Sequence, residues 1–112
     1  MSEEFLKTTQ PANSSRIIAF EHAEVVPGII EETYFLIVSG TVPYLNMTVS
    51  LSPLIYSHRP DYWDIEVVGT IAGGIGLPAT KPYHVSLPLT GIIGTKGIRV
   101  IGANGAKQID VP

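Results

Sequence analysis

The chain has 112 residues and a mass of 12.1 kDa, enough for one domain with a single core and too few for two domains of ordinary size. Isoleucine, valine and threonine total 33 residues against 15 for alanine plus leucine, and this excess of β-branched side chains favours strands. The net charge is −3 and only 15% of residues are charged, so much of the surface must be neutral or covered by another chain.

Composition also argues against several classes of function. The seven basic residues stand singly, which provides no stripe of charge for a nucleic acid backbone. No apolar run approaches the roughly 20 residues of a membrane-spanning helix. The absence of cysteine excludes disulfides, cysteine-bearing zinc sites and thiol catalysis. The acidic start, residues 1–4, lacks the basic and apolar parts of a signal peptide, so a cytoplasmic location is expected.

The first third of the chain predicts a tail and two strands. Residues 1–15 are mostly polar and predict a flexible N-terminal tail, which leaves residues 16–112 as the single folded domain. Residues 16–26 mix helix-favouring alanine and glutamate with strand-favouring isoleucine and valine, and we predict a strand with a helix as the alternative. Pro27-Gly28 predicts a turn. Residues 34–38 are apolar on both faces, which is typical of a strand in the middle of a sheet.

Two later segments show the alternation of strands with one buried face. In the first, the apolar positions Leu45, Met47, Val49 and Leu51 alternate with Asn46, Thr48, Ser50 and Ser52. In the second, residues 62–71, the predicted buried side chains are Trp63, Ile65, Val67 and Ile71. Because neighbouring side chains point to opposite faces, the carboxylates of Asp64 and Glu66 are expected to face solvent.

The last third predicts a crossover, an edge strand and a hairpin. Residues 72–82 are rich in glycine and proline and are longer than a hairpin loop, which indicates a connection between two sheets. Residues 83–90 alternate again, with Val85 and Leu87 inward, and Pro88 places this strand at an edge because proline cannot donate to a ladder. Asn104-Gly105 predicts a type I′ hairpin loop. The resulting register pairs Ile98 with Val111, Val100 with Ile109, and Arg99 with Asp110.

Together these elements predict an all-β fold. Seven or eight short strands with regularly spaced turns are typical of an antiparallel two-sheet sandwich with Greek-key connections, of the immunoglobulin, C2 or jelly-roll type.

The densest group of functional side chains lies in residues 56–64. The residues that could bind a ligand there are Tyr56, His58, Arg59, Asp61, Tyr62 and Trp63. Such a loop could stack a sugar ring or hold an anion, whereas the simpler interpretation is a turn bent at Pro60-Asp61 with Trp63 anchored in the core. Ser57, His58 and Asp61 include the residue types of a hydrolase triad, but adjacent serine and histidine rarely meet in the required geometry. We predict no catalytic residue.

No metal or cofactor is predicted. The three histidines, His22, His58 and His84, lack the spacing of paired metal ligands. The glycines of residues 73–76 and 94–97 occur without the lysine, serine or helix start of a phosphate-binding loop, so we interpret both segments as turns.

Three functions from different classes remain. The first is a non-enzymatic binding or assembly module that forms a homo-oligomer, because few charges are available to protect strand edges and faces. Its expected contact is the uncharged face carrying Asn46, Thr48 and Ser50, or the edge near Pro88. The second is a module that binds a small ligand or carbohydrate through residues 56–64, and the third is an enzyme. We expect itself or another protein as partner, a small ligand as the alternative, and neither nucleic acid nor a membrane span.

Overall fold

A computed structural model describes residues 14–112 and builds this part of the chain from β-strands. In chain order they are β1 (Ser14–Ile17), β2 (His22–Pro27), β3 (Tyr34–Tyr44), β4 (Met47–Pro53), β5 (Tyr62–Ile71), β6 (Pro78–Pro88), β7 (Gly97–Gly102) and β8 (Gly105–Asp110). A short 3₁₀ turn, Ala72–Gly74, follows β5. The strands form two sheets that pack against each other, which confirms the predicted all-β sandwich. Within residues 14–112, no helix is long and apolar enough to cross a bilayer.

The larger sheet is built on β5, which has partners along both of its edges. β4 pairs with residues 65–71, β1 with residues 68–71 and β7 with residues 62–66. Because β4 overlaps both other partners, it occupies one edge while β1 and β7 share the other, and β8 pairs beyond β7. The β5–β7 pair is parallel, a departure from the expected antiparallel pairing. β7 enters from a strand of the other sheet, so it runs in the direction of β5 instead of returning through a hairpin.

The smaller sheet has the order β2, β3, β6. The central position predicted for residues 34–38 is confirmed, since these residues lie in β3. β6 is an edge strand of this sheet, with Pro88 paired to Phe35, as the proline predicted. The predicted crossover is also confirmed, because β5 ends in one sheet and β6 begins in the other. It is shorter than predicted, since residues 78–82 extend β6 along β3.

Residues 16–26 form neither the single strand nor the helix that the sequence suggested. β1 ends at Ile17 in the larger sheet and β2 begins at His22 in the smaller one, so the chain changes sheets over residues 18–21. β1 also includes Ser14 and Ser15, which the prediction assigned to the tail. The remaining tail residues, 1–13, lie outside the described part of the chain.

Contacts from distant strands hold this change of sheet. Ile18 donates its backbone N–H to the carbonyl oxygen of Val67 at 2.9 Å. The amide side chain of Asn104 binds both backbone groups of Phe20, accepting from its N–H at 3.2 Å and donating to its carbonyl oxygen at 2.8 Å. A strand break that depends on residues 49 and 84 positions away leaves no local signal, which explains the wrong prediction for this segment.

The C-terminal hairpin exists, but its predicted loop and register are wrong. Gly102 pairs with Gly105, so the two loop residues are Ala103 and Asn104 instead of Asn104-Gly105. Gly105 follows the loop at a φ of 128°, and the Asn104 side chain is engaged with Phe20. The observed register pairs Ile98 with Ile109 and Arg99 with Gln108, which removes the predicted Arg99–Asp110 pair. A slip of two residues preserves side-chain faces, so Ile98, Val100, Ile109 and Val111 still share one face.

The core lies between the two sheets. Its fully buried large side chains are Leu36, Val38, Val42, Ile65, Val67, Leu89, Ile98 and Val100. Among the other predicted core residues, Met47 and Ile71 are buried, whereas Val49, Leu51, Trp63, Val85, Leu87 and Ile109 are half-buried around them and Leu45 is exposed in a turn. Of the polar residues that alternate with these side chains, Thr48, Ser50 and Ser86 are exposed, while Asn46 and Glu66 are half-buried. The inward face of each alternating strand is therefore confirmed.

Candidate functional site

Three loops meet at one end of the sandwich, which we call the loop end. They are residues 28–33 between β2 and β3, residues 54–61 between β4 and β5, and residues 89–96 between β6 and β7. Arg59 fastens the second loop to the third, because its Nε donates to the carbonyl oxygen of Ile93 at 2.9 Å and its Nη2 to that of Gly94 at 3.1 Å.

A cavity of about 550 Å³ opens between these loops. The aromatic part of its wall consists of Tyr34, Tyr56 and Trp63. Tyr56 and Trp63 meet edge to face, with ring centroids 5.2 Å apart and ring planes at 80°. Trp63 is held by its indole N–H, which donates to the carbonyl oxygen of Leu54 at 2.9 Å. The tryptophan therefore belongs partly to the core and partly to this cleft, so the two interpretations of its role are compatible.

Polar groups surround the aromatic wall. They are contributed by Glu32, Thr33, Ser57, His58, Arg59 and Thr90. Glu32 has a φ of 62°, an uncommon backbone conformation for a residue with a side chain, and it is exposed at the cleft. Gly91 also lines the cleft, at a φ of 79° and with open space where a Cβ would be. The cleft thus combines ring faces with hydrogen-bonding groups of both kinds.

Four of the six predicted ligand-binding residues line this cleft: Tyr56, His58, Arg59 and Trp63. The guanidinium of Arg59 is already bonded to backbone carbonyl groups, so its position serves the loop architecture as well as the cleft.

The other two predicted residues, Asp61 and Tyr62, do not line this cleft. The Asp61 carboxylate accepts a hydrogen bond from Thr95 Oγ1 at 3.0 Å and lies 3.9 Å from Lys96 Nζ. The Tyr62 hydroxyl donates to Asp110 at 2.6 Å. Tyr62 and Trp63 separate because consecutive residues of β5 point to opposite faces. Because the Asp61 carboxylate is bonded to Thr95, it does not serve as the acid of a triad with Ser57 and His58.

Sequence reasoning missed the half of the cleft that comes from other loops. The missed lining residues are Glu32, Thr33, Tyr34, Leu89, Thr90, Gly91 and Ile93. Only the pairing of β3 with β6 could have indicated these residues. Phe35 lies opposite Pro88, so the residues that precede Phe35 lie close to the residues that follow Pro88. That pairing joins residues 53 positions apart, which one sequence does not reveal.

An ion pair lies next to the aromatic wall of the cleft. Asp64 and Arg99 are neighbours across the parallel β5–β7 pair, and their side chains form two hydrogen bonds of 2.8 and 3.0 Å. The hydrogen bond to Asp64 raises the pKa of Arg99 above its usual range. The Asp64 side chain is only 16% exposed, in contrast to the predicted solvent-facing position. The backbone N–H of Asp64 lies 3.4 Å from the Tyr56 hydroxyl, which links the pair to the aromatic wall.

Across residues 14–112, the structure brings no three histidine and acidic side chains together in a way that could hold a metal ion. Comparison of the chain with known proteins finds no matching family model, no matching curated protein and no matching solved structure.

Proposed function

We propose that the protein is a non-enzymatic binding module that holds a small ligand in the loop-end cleft. The observation that carries this proposal is the convergence of Tyr34, Tyr56 and Trp63 on one open cavity of about 550 Å³. Small-ligand sites commonly measure about 300 to 1,000 Å³ and combine aromatic or apolar walls with a few polar groups.

The ligand class that fits this lining best is a neutral sugar. The faces of aromatic rings carry partial negative charge and attract the C–H groups on the apolar face of a sugar ring. Sugar hydroxyls need donors and acceptors beside that face, and Glu32, Ser57 and His58 supply both. The openness of the cleft to solvent suits a ligand that keeps part of its hydration.

Binding without catalysis is the simpler role for this lining. Most enzymes that hydrolyse glycosides place two carboxyl groups beside the scissile bond. Among the described residues that line the cleft, Glu32 supplies the carboxylate, and the nearby Asp61 is directed to Thr95 and Lys96. This arrangement favours retention of a sugar over its cleavage.

Trp63 provides the assay, because it is the single tryptophan of the chain and lines the cleft. We expect a panel of neutral monosaccharides and disaccharides to include one that changes Trp63 fluorescence with a saturable dependence on concentration. Tyr56→Ala removes one ring of the wall and should weaken that binding about tenfold.

Two histidine variants form a matched pair. His58→Ala should weaken binding because His58 lines the cleft, whereas His84→Ala should not, because His84 is exposed on β6 opposite Ser39. Isothermal calorimetry provides a readout that does not depend on Trp63 emission. The proposal is wrong if no sugar of the panel binds saturably, or if folded Tyr56→Ala and His58→Ala proteins bind as well as the unmodified chain.

A further inference from the structure

The most exposed large apolar side chains of the described chain lie at the two opposite ends of the sandwich. At the loop end they are Ile29, Ile30 and Ile55, with Ile29 106% and Ile55 98% exposed. At the other end, which we call the far end, they are Leu45, Ile75 and Leu77, with Ile75 76% exposed. Apolar groups concentrated in this way on a protein surface usually meet a partner.

The far-end side chains belong to one braced cluster. The Asn46 amide donates to the carbonyl oxygen of Ile75 at 2.8 Å and accepts from the N–H of Leu77 at 2.9 Å. Leu45 donates its N–H to the carbonyl oxygen of Leu77 at 3.0 Å. The three apolar residues therefore project from two turns that are fixed to each other. The same contacts occupy Asn46, which the sequence placed on a free assembly face.

The charges near the two ends have opposite signs. At the loop end, Glu31 and Glu32 directly follow Ile29 and Ile30, and both are exposed. The other two loops add Asp61 and Lys96, which form an ion pair, and Arg59, which is bonded to backbone carbonyl oxygens, so acidic groups are in excess at this end. Toward the far end, Arg16 lies over the Tyr44 ring at 5.9 Å and Lys81 pairs with Val42. In the described chain the one acidic group beside them is Glu21, whose carboxylate accepts a hydrogen bond from Thr41, so basic groups are in excess there. Opposite charges beside two apolar groups favour contact between unlike ends and disfavour contact between like ends.

We propose that copies of this chain associate end to end, with the loop end of one copy on the far end of the next. The molecule measures 53 × 34 × 27 Å. The 11-residue strands β3 and β6 are about 36 Å long and have loops beyond both ends, which accounts for the longest dimension. An end of 34 by 27 Å is similar in size to the about 800 Å² that each partner buries in a standard interface. Because the two contacting surfaces differ, this is a heterologous contact that can continue into longer assemblies. The proposal does not rest on ligand binding in the cleft.

The test uses two variants that each block one end. Ile29→Lys with Ile55→Lys places positive charge on the loop end, and Ile75→Glu with Leu77→Glu places negative charge on the far end. All four side chains are exposed, so both proteins should fold, which circular dichroism checks. By light scattering over a concentration series, the unmodified chain should grow in mass with concentration, and each variant should remain at 12.1 kDa. An equimolar mixture of the two variants should form a species of twice the monomer mass, because one intact loop end meets one intact far end.

The matched control carries Thr48→Lys and Ser50→Glu, two exposed changes on the outer face of β4. This control should associate like the unmodified chain. If it becomes monomeric while both end variants still associate, the contact is on the sheet face and the end-to-end proposal is wrong. An end variant that dimerises by itself would mean that like ends meet, and a mixture of the two variants that stays monomeric would mean that unlike ends do not meet; either result overturns the proposal. A chain of residues 1–112 that is monomeric at every concentration overturns it as well.

Discussion

At the scale of single residues, glycine determines whether the second and third loops can meet. The carbonyl oxygen of Asp61 accepts the N–H groups of Lys96 at 2.8 Å and Gly97 at 3.2 Å, and that of Pro60 accepts the N–H of Thr95 at 2.9 Å. Gly94 lies directly against this segment, and a Cβ there would overlap the backbone carbonyl oxygens of Pro60 and Asp61. The loop end depends on this close approach of two backbones.

We therefore expect Gly94→Ala to lower the free energy of unfolding by about 1 to 3 kcal/mol, the usual cost of overpacking against atoms that cannot move aside. Gly91→Ala is the control, because a Cβ at Gly91 would meet open space. Its only cost is the backbone strain of an alanine at a φ of 79°, about 1 to 2 kcal/mol of the free energy of unfolding. Urea denaturation gives both values, and amide chemical shifts should change in both loops for Gly94→Ala only. If the amide chemical shifts of residues 54–61 changed no more in Gly94→Ala than in Gly91→Ala, the role assigned to Gly94 would be contradicted.

At the scale of secondary-structure elements, a side-chain hydrogen bond joins β5 and β8, the two strands on either side of β7. Gly97 of β7 pairs with Tyr62 of β5 on one side and with Asp110 of β8 on the other. The Tyr62 hydroxyl reaches across β7 at Gly97 and donates to the Asp110 carboxylate. This hydrogen bond is the largest cause of the raised pKa of Tyr62, and burial and the negative charges of Asp110 and Asp61 add to it.

This contact has a pH signature. Tyr62 should titrate above the usual value of about 10, and Asp110→Asn should lower its pKa, whereas Glu66→Gln should leave it unchanged. Because the unfolded chain loses this proton first as the pH rises, the stabilisation is complete below about pH 10 and decreases above it. Carbon-13 NMR of the tyrosine rings resolves the individual titrations. A Tyr62 pKa that does not move in Asp110→Asn would exclude the cross-strand bond.

At the scale of the whole molecule, the core between the sheets supplies the stability, and the sheet margins close over it. β4 contacts β6 at one margin, and at the other Lys107 of β8 donates to the carbonyl oxygen of Ala23 in β2 at 2.8 Å. Val67 faces the core and is fully buried, whereas its neighbour Val68 faces away and is half-buried.

Val67→Ala should therefore destabilise the protein by about 1 to 4 kcal/mol through lost apolar burial and the cavity left behind. Val68→Ala removes the same atoms from the opposite face of β5 and should cost less, within about 1 kcal/mol. Thermal and chemical denaturation of the two variants, which differ by one position, test the direction of the strand. A larger cost for Val68→Ala would mean that the face assignment is inverted.

The fold was predictable wherever the signal lies within a few residues of the sequence. Alternation in β4, β5 and β6 identified strands and their inward faces, because strand side chains alternate with a period of two. The continuous apolar run in β3 identified a central strand, and Pro88 identified an edge. The hairpin was predicted with the wrong register. The Asn104 side chain forms hydrogen bonds with both backbone groups of Phe20, a contact that the local preference of Asn104-Gly105 for a two-residue loop does not include.

The candidate site was predictable in part for the same reason. Tyr56, His58, Arg59 and Trp63 lie in one segment whose composition marks it as a loop with unusual side chains. Glu32, Tyr34 and Thr90 do not lie in a segment with such a composition, and only the pairing of β3 with β6 brings them to the cleft.

The sequence by itself determined that this chain is all-β, which faces of its strands are buried, and where most of its turns and its crossover between β5 and β6 occur. These properties follow from side-chain branching, a period of two, and the backbone limits of glycine and proline, all of which act within a few residues. Only the tertiary structure decided that β5 and β7 run parallel, that residues 18–21 change sheets, and that three loops enclose a cleft. Strand partners are selected by contacts between residues far apart in the chain, and such contacts leave no periodicity in a single sequence.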